Sequence, residues 1–362
     1  MREDEIDNQQ SESFHGEIQF DYSDPDFTEN GRDLWEHYRY EVEKGQVLLR
    51  IDKYLVERIK GTSRNRIQHA AEADCIRVNG HPVKSNYRVH PGELITVVMD
   101  RPRYECEIVA QDIPLDITYE DDHVLVVNKP AGMVVHPGHG NFDGTLVNAL
   151  AWHFRNNPDY DVTDPRLGLV HRIDKDTSGL LVVAKTPQAK TSLGAQFFNK
   201  TTKRRYLAVV WGQMKENEGT VTGNIGRDLR DRTSMAVFPD GDQGKHAVTH
   251  WKVLENLAHV AVVQCQLETG RTHQIRVHMK HIGHPLFNDA RYGGDQILRG
   301  NRSSTYASFI HNCFKACPRQ ALHAKTLGFV HPATGRQMDF DSPLPADMEE
   351  LIRRWKNFSQ GA

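Results

Sequence analysis

Short apolar runs with a two-residue period dominate the chain beyond its first hundred residues. Asp116–Tyr119, Val124–Asn128, Leu180–Ala184, Arg205–Trp211, Thr249–Leu254 and Val260–Leu267 are rich in β-branched and aromatic residues and are closed by turn formers, so each predicts a strand. Helical spacing is confined to a few stretches. Pro187–Phe198 has Thr186 placed to cap it, and residues 272–282 carry Ile275, Met279 and Ile282 along one side. Helices are too few for a regular β-α-β alternation, which predicts an α+β domain with a mixed, mostly antiparallel sheet and flanking helices. Residues 46–100 are punctuated differently. Asp52 and Ser63 can each open a short helix, the first carrying Tyr54, Leu55 and Ile59 and the second Arg64, Arg66 and Ile67. Ile76, Val78 and the Asn79-Gly80 turn then predict a hairpin, closed by Leu94–Val98 after Pro91-Gly92. Residues 1–45 have few aliphatics, many carboxylates and no sustained period, and read as a disordered acidic extension. Within it, Trp35, Tyr38 and Tyr40 suit a short helix docked on the body.

Charge sharpens this division. The 362-residue chain has a net charge of −3, but residues 1–45 hold 14 acidic and 4 basic residues, leaving 34 acidic and 41 basic in the rest. A mildly basic body is compatible with a polyanionic partner without establishing one. No run approaches the roughly 20 apolar residues of a membrane span. The N-terminus MREDEIDNQQ lacks the apolar core of a secretory signal. Five scattered cysteines, an odd number, fit a reducing cytoplasm.

The densest chemistry lies in GLVHRIDKDTSGLLVVA, residues 168–184. His171, Arg172, Asp174, Asp176, Thr177 and Ser178 crowd a polar loop that runs through Gly179 into an apolar strand. A rigid strand holding polar groups on a loop is a common way to build a site, although a self-satisfied surface turn has the same composition. Lys203–Gly212, KRRYLAVVWG, puts Arg204, Tyr206, Ala208 and Val210 on one face of a strand. In TGRTHQIR, residues 269–276, Arg271 falls near a helix N-terminus, where a waiting carboxylate or phosphate explains an arginine better than helix stability does. The histidines of HMKHIGH, and His311 with Cys313 and Cys317, lack a zinc spacing, so no metal is expected. There is no phosphate-loop or dinucleotide fingerprint either.

Five blocks in order, NKPAGMVVHPG (128–138), HRIDKDTSGLLVVAK, KRRYLAVVWG, ETGRTHQIRVHM with IGHPLFNDARYG, and ALHAKTLGFVHP (321–332), resemble the RluA family of uridine-to-pseudouridine isomerases over about residues 105–350. The segment RIDKYL…SRNRIQ…IRVNG…VKSNYRV resembles an S4-type RNA-binding domain over residues 46–100, with Ala73-Asp74-Cys75 where that domain often has glycine. The resemblance implies a pseudouridine synthase fold over 105–355 and a cytoplasmic, cofactor-free enzyme. Its implied partner is 23S-type ribosomal RNA or the pre-ribosomal large subunit, with a monomer as the default. It makes Asp174 the catalytic carboxylate, Arg271 the arginine paired with it, and Tyr206 the active-site tyrosine that packs on uracil and helps remove its C5 proton. Arg172 would fill the gap left by a flipped base. His171, Lys129, Arg64 and Arg66 complete the expected RNA contacts. Residues 295–320 stand outside the resemblance as an insertion.

Overall fold

The computed structural model describes residues 35–361 other than 60–61, 100–107, 138–140, 142, 159, 161–166, 232 and 302; of Trp35, Arg66 and Met99 only the backbone is described. Of residues 1–45, expected to be disordered, residues 1–34 lie outside the described residues, as does the segment around Pro102, whereas Trp35–Glu41 form a strand. The chain divides into two compact units, whose described parts are residues 35–99 and 108–361.

In the smaller unit, β1 (Trp35–Glu41), β2 (Leu49–Arg50), α1 (Ile51–Arg58), α2 (Arg64–Glu72), β3 (Ile76–Val78), β4 (His81–Pro82), β5 (Arg88–Val89) and β6 (Leu94–Met99) form two helices, a four-stranded sheet ordered β1-β6-β3-β4, and a β2-β5 pair. The aromatic segment expected to be a short helix is instead the edge strand β1, antiparallel to β6, with Tyr38 and Tyr40 stacked 6.4 Å apart. Ile51, Tyr54 and Leu55 of α1 pack with Ile67, Ile76, Ile95 and Val97 in one core. Asp52 does not cap α1; it lies in the first turn, fully buried. Asp74, standing where the S4-type pattern has glycine, adopts a left-handed φ of 58°, a conformation that glycine takes freely and aspartate tolerates better than most residues.

The larger unit is built on a ten-stranded sheet. Its strands are β7 (Ile117–Glu120), β8 (Val124–Lys129), β9 (Ser178–Ala184), β10 (Lys203–Trp211), β11 (Glu218–Arg227), β12 (Met235–Phe238), β13 (Lys245–Leu257), β14 (Val260–Leu267), β15 (Leu322–Val330) and β16 (Gln337–Asp341). Nine of them run in the order β12-β11-β13-β14-β10-β15-β9-β8-β7, and β16 also pairs with β15. Every pairing is antiparallel except β9 with β15, the mixed, mostly antiparallel sheet that the scarcity of helices predicts. One edge of β15 forks: residues 323–324 pair with the start of β9, whereas 326–330 pair with β16.

Alternation along β10 decides what covers each face. Tyr206, Ala208 and Val210 pack into a core shared with α3 (Leu146–His153) and α5 (Gln274–His281). Val209 and Trp211 face the other way, onto α6 (Ser304–Ala316) and α7 (Ala346–Gly361). The helix α4 (Pro187–Phe198), capped by Thr186 as predicted, covers β8 and β9 from that opposite side. The insertion therefore helps to hold the fold. Tyr306, Ile310 and Cys313 of α6 bury against Trp211, Phe287 and Trp355, and each large apolar side chain so buried contributes about 1.5–3 kcal/mol.

Candidate active site

The loop of residues 171–177 occupies the fork in the sheet. Leu169 bridges to Val183 of β9, so residues 168–184 double back on themselves with the polar residues at the tip. Two glycines make this possible. A side chain at Gly179 (φ 117°) would stand 2.3 Å from the Ala324 carbonyl oxygen, and one at Gly168 (φ 75°) 1.9 Å from that of Ala184. The tip is then pinned nearly residue by residue. The amide of Thr177 donates to the Asp174 carbonyl (3.1 Å), and the Gly132 amide to that of Lys175 (3.0 Å). The Arg319 guanidinium donates to the Asp176 carbonyl (2.9 Å), and Ser178 Oγ meets His323 Nδ1 (2.9 Å).

Asp174 is the chemical focus. Its Oδ2 accepts from Arg276 Nη1 at 3.0 Å, and the carboxylate side chain keeps 21% of its exposure. Arg276, on α5, also donates Nε and Nη2 to the two oxygens of buried Asp289 at 2.8 and 2.9 Å. It lies 5.1 Å from the ring centre of Tyr292, whose hydroxyl meets His273 Nδ1 at 2.8 Å. Burial alone would raise the pKa of Asp174, but the positive groups of His273, Arg276 and Arg172 outweigh it and hold the carboxyl at about 2. At Arg276 burial works against the charge, and Asp289 and Asp174 outweigh it and raise the pKa. Tyr206 is buried beside them; burial and the negative Asp174 push its phenol upward against the pull of Arg204. A neutral phenol can pack and donate, but it is a poor base for the C5 proton.

Several expected contacts fall elsewhere. The partner of Asp174 is Arg276, not Arg271, whose Nε donates to the His246 carbonyl at 3.1 Å while its amide meets Gln274 Oε1. His273, left-handed at φ 54°, forms the cap, so α5 begins at Gln274 and turns Arg276 toward the loop. Lys129 is fully buried, and its ammonium donates to the carbonyls of Pro130, Met133 and Lys175 (2.7, 2.8 and 2.9 Å). It fastens the Asp174 loop and has no surface to offer RNA; burial pulls its pKa to about 7 against Asp174 and Asp176. His171 is likewise turned inward. Its ring stacks on Phe197 at 4.4 Å and Nε2 accepts from the Val182 amide. Arg172 is exposed at the mouth of the loop. In the smaller unit, Arg64 is half exposed and bonded through Nε to Asp52 (3.0 Å), whereas the side chain of Arg66 lies outside the described residues.

Sequence spacing did not reveal Arg276, Asp289 or the latch of Arg319. That arginine, buried at the end of the insertion, makes a two-pronged ion pair with Asp347 of α7 (2.7 and 3.0 Å) while gripping Asp176. Among the described residues no three His, Cys, Asp or Glu side chains are placed to hold a metal ion. His278 is buried against Thr249, and His284 meets the Trp211 carbonyl. No described helix is long and apolar enough to cross a membrane.

Known proteins resemble the chain in sequence over most of its length. A family model for RNA pseudouridylate synthases matches residues 123–281, and one for the S4 domain matches residues 49–95. An uncharacterised RNA pseudouridine synthase of Chlorobaculum parvum is 45% identical over 316 residues, 87% of this chain and 96% of that one. Another from Bacillus subtilis is 48% identical over 303 residues, 84% and 93% of the two chains. The ribosomal large subunit pseudouridine synthase D of Zymomonas mobilis is 44% identical over 306 residues, 84% of this chain and 93% of that protein. The chain belongs to the RNA pseudouridine synthase family and carries an S4 domain ahead of its catalytic part.

Proposed function

We propose that the protein converts specific uridines of large-subunit, 23S-type ribosomal RNA to pseudouridine, with Asp174 as the catalytic carboxylate. The observation that carries this reading is an ionised Asp174 held by Arg276 beside the buried, protonated Tyr206. The reaction breaks the N1–C1′ bond of uridine, joins C5 to C1′, and exchanges the C5 proton for one on the freed N1, with no net loss. It is redox-neutral and consumes no co-substrate, so the residues need supply only positioning, charge and proton transfer. A carboxylate serves either by adding to the electron-poor C1′ or by taking the C2′ proton, and both routes require it ionised. Tyr206 packs against the base and keeps its proton.

A uracil inside a helix is out of reach, so the target nucleotide is extruded at a cost of a few kcal/mol, least in loops and bulges. Arg172, exposed beside Asp174, is suited to fill the vacated position. The S4 domain supplies phosphate contacts, with Arg64 among them. The RNA class is taken from the name of the Zymomonas mobilis relative, a ribosomal large subunit pseudouridine synthase, and the cytoplasm is where that substrate and the free cysteines belong. We read the enzyme as a monomer.

The test is site-resolved pseudouridine mapping of ribosomal RNA incubated with wild-type protein and with Asp174→Asn. New pseudouridines made only by the wild type are expected. Equal signals from both proteins remove Asp174 from the mechanism. Modification of transfer RNA alone overturns the assignment to ribosomal RNA.

A further inference from the structure

Among the described residues of the larger unit three arginines are buried, and two of them have carboxylates. Arg276 has Asp174 and Asp289; Arg319 has Asp347. Arg204 has none among the described residues. It is 7% exposed, and its Nε is enclosed without a hydrogen-bond partner. A buried guanidinium without a counter-charge is costly to maintain, so its place in the fold calls for an explanation. Helix propensity and capping do not apply, since it sits on a strand in the middle of a sheet. The flanking ring of Phe197, 5.4 Å from Cζ, is at best a weak substitute for an anion.

Its surroundings indicate what completes it. On β10, Arg204 shares a face with Tyr206 two residues on. Phe197, the ring beside it, is the one on which His171 of the catalytic loop stacks. On another side the guanidinium meets the turn that leads into α5: a Cβ at Gly270 would stand 2.9 Å from Nη1. Gly270 thus lets the guanidinium lie close against its backbone, where the Cβ of any other residue would crowd it. The cation is bracketed by the elements that carry Asp174, Tyr206 and Arg276, and the missing partner is an anion next to the reacting nucleotide.

We propose that Arg204, lying against the turn at Gly270, is the subsite for an RNA phosphodiester flanking the target uridine. The inference rests on the reading of this chain as a pseudouridine synthase and adds the group that orients the extruded nucleotide. A sugar whose C1′ faces Asp174 and whose base lies on Tyr206 carries its own phosphates within a nucleotide's reach of that site. One buried, pre-formed cation there fixes the sugar against the carboxylate. The fixed fork of arginine suits a phosphate's paired oxygens.

The experiment compares full-length wild type, Arg204→Gln and Arg204→Lys for binding to a large-subunit ribosomal RNA transcript across a KCl series. For Arg204→Gln we expect binding weaker by about 10-fold at low salt and a plot of log Kd against log[KCl] shallower by about one. Arg204→Lys, which keeps the charge, restores most of the slope. The slope is the decisive readout, because a purely structural role would lower kcat and leave it unchanged. That result overturns the proposal. A second arm needs no variant to fold: in a synthetic RNA spanning a mapped uridine, a methylphosphonate replaces the phosphate on either side. One of the two is expected to lower wild-type affinity to the level of Arg204→Gln while leaving Arg204→Gln indifferent; additive losses overturn the assignment. Thermal stabilisation of wild type, but not Arg204→Gln, by millimolar inorganic phosphate alone would mark free phosphate as the ligand and overturn an RNA subsite. Salt-dependent binding by a wild type that forms no pseudouridine would sink the functional reading while leaving this one to stand or fall on the slope.

Discussion

The two units use arginine in opposite ways. In the larger unit, Arg276 and Arg319 are withdrawn from water and tied to carboxylates on one side and to the Asp174 loop on the other. In the smaller unit the carboxylate is the buried partner. Asp52 is fully enclosed, and Arg50, Arg64 and Gln68 converge on it while the two arginine side chains stay 40% and 48% exposed. A buried arginine already tied to carboxylates has its charge taken up and serves to hold geometry. A half-exposed arginine held by a buried anion is pre-oriented yet remains open to a phosphate. The difference fits the proposal that the larger unit performs the chemistry and the smaller one grips RNA.

The comparison is most sharply broken at Arg276. Arg276→Gln should lower kcat by at least about 100-fold, since it removes the charge that keeps Asp174 ionised. It should also change the pH profile. The wild-type carboxyl titrates at about 2, so wild-type activity should show no acid limb near the ordinary value of about 4. Loss of the cation raises that pKa, and kcat of the variant should fall as pH is lowered through the raised value. A flat profile would mean that Arg276 does not tune Asp174. Next in size, Asp289→Asn leaves Arg276 with one carboxylate and should destabilise the larger unit by about 3–5 kcal/mol, read from urea unfolding.

Breaking the latch tests whether the insertion serves catalysis at a distance. Arg319→Met should reduce kcat about 10-fold by freeing the Asp176 carbonyl, with the Kd for RNA unchanged. A rise in Kd at constant kcat would place Arg319 in RNA binding. In the smaller unit, Asp52→Asn should cost about 1.5–3 kcal/mol. The carboxyl of Asp52 is drawn to about 2, with burial opposing and Arg50, Gln68 and Arg64 lowering it. A depressed carboxyl pKa stabilises above its unfolded value of about 4 and loses that contribution as pH falls toward 2. Acid titration of stability should therefore be flatter in the variant over that window. The smallest effect is expected from Arg64→Ala: kcat unchanged, and a salt slope of RNA binding shallower by about one. A change in kcat there would erase the division of labour.

Much of this was legible in the sequence because period-two runs and turn residues act locally. The strands of the sheet, Thr186 as a helix cap and the Asn79-Gly80 hairpin all follow from neighbours in the chain. That Asp174 and Tyr206 lie close together was legible from motif resemblance. What failed required knowledge of the third dimension. Arg271 and Arg276 are five residues apart in one motif, and only the left-handed His273, which sets where α5 begins, decides which one meets Asp174. Lys129 carries a charge that suits RNA in any linear reading, yet three carbonyls of two separate segments converge on it inside the fold. The strand β1 was missed because its charged residues, Glu36, Arg39 and Glu41, hide an edge-strand alternation under an acidic composition. Aromatics such as Tyr38 and Tyr40 favour strands when a partner like β6 is available.

The hydrogen bond from Arg319 to the Asp176 carbonyl spans 143 positions of the chain, and Asp347, which anchors Arg319, lies another 28 positions on. During synthesis the loop bearing Asp174 emerges long before Arg319 and Asp347, which complete its fastening. Nascent chains stalled before α7 would hold Asp174, Tyr206 and Arg276 but lack the Asp347 carboxylate that anchors Arg319. The loop that carries Asp174 is thus fully fastened only once α7 has been made, however early the loop itself leaves the ribosome.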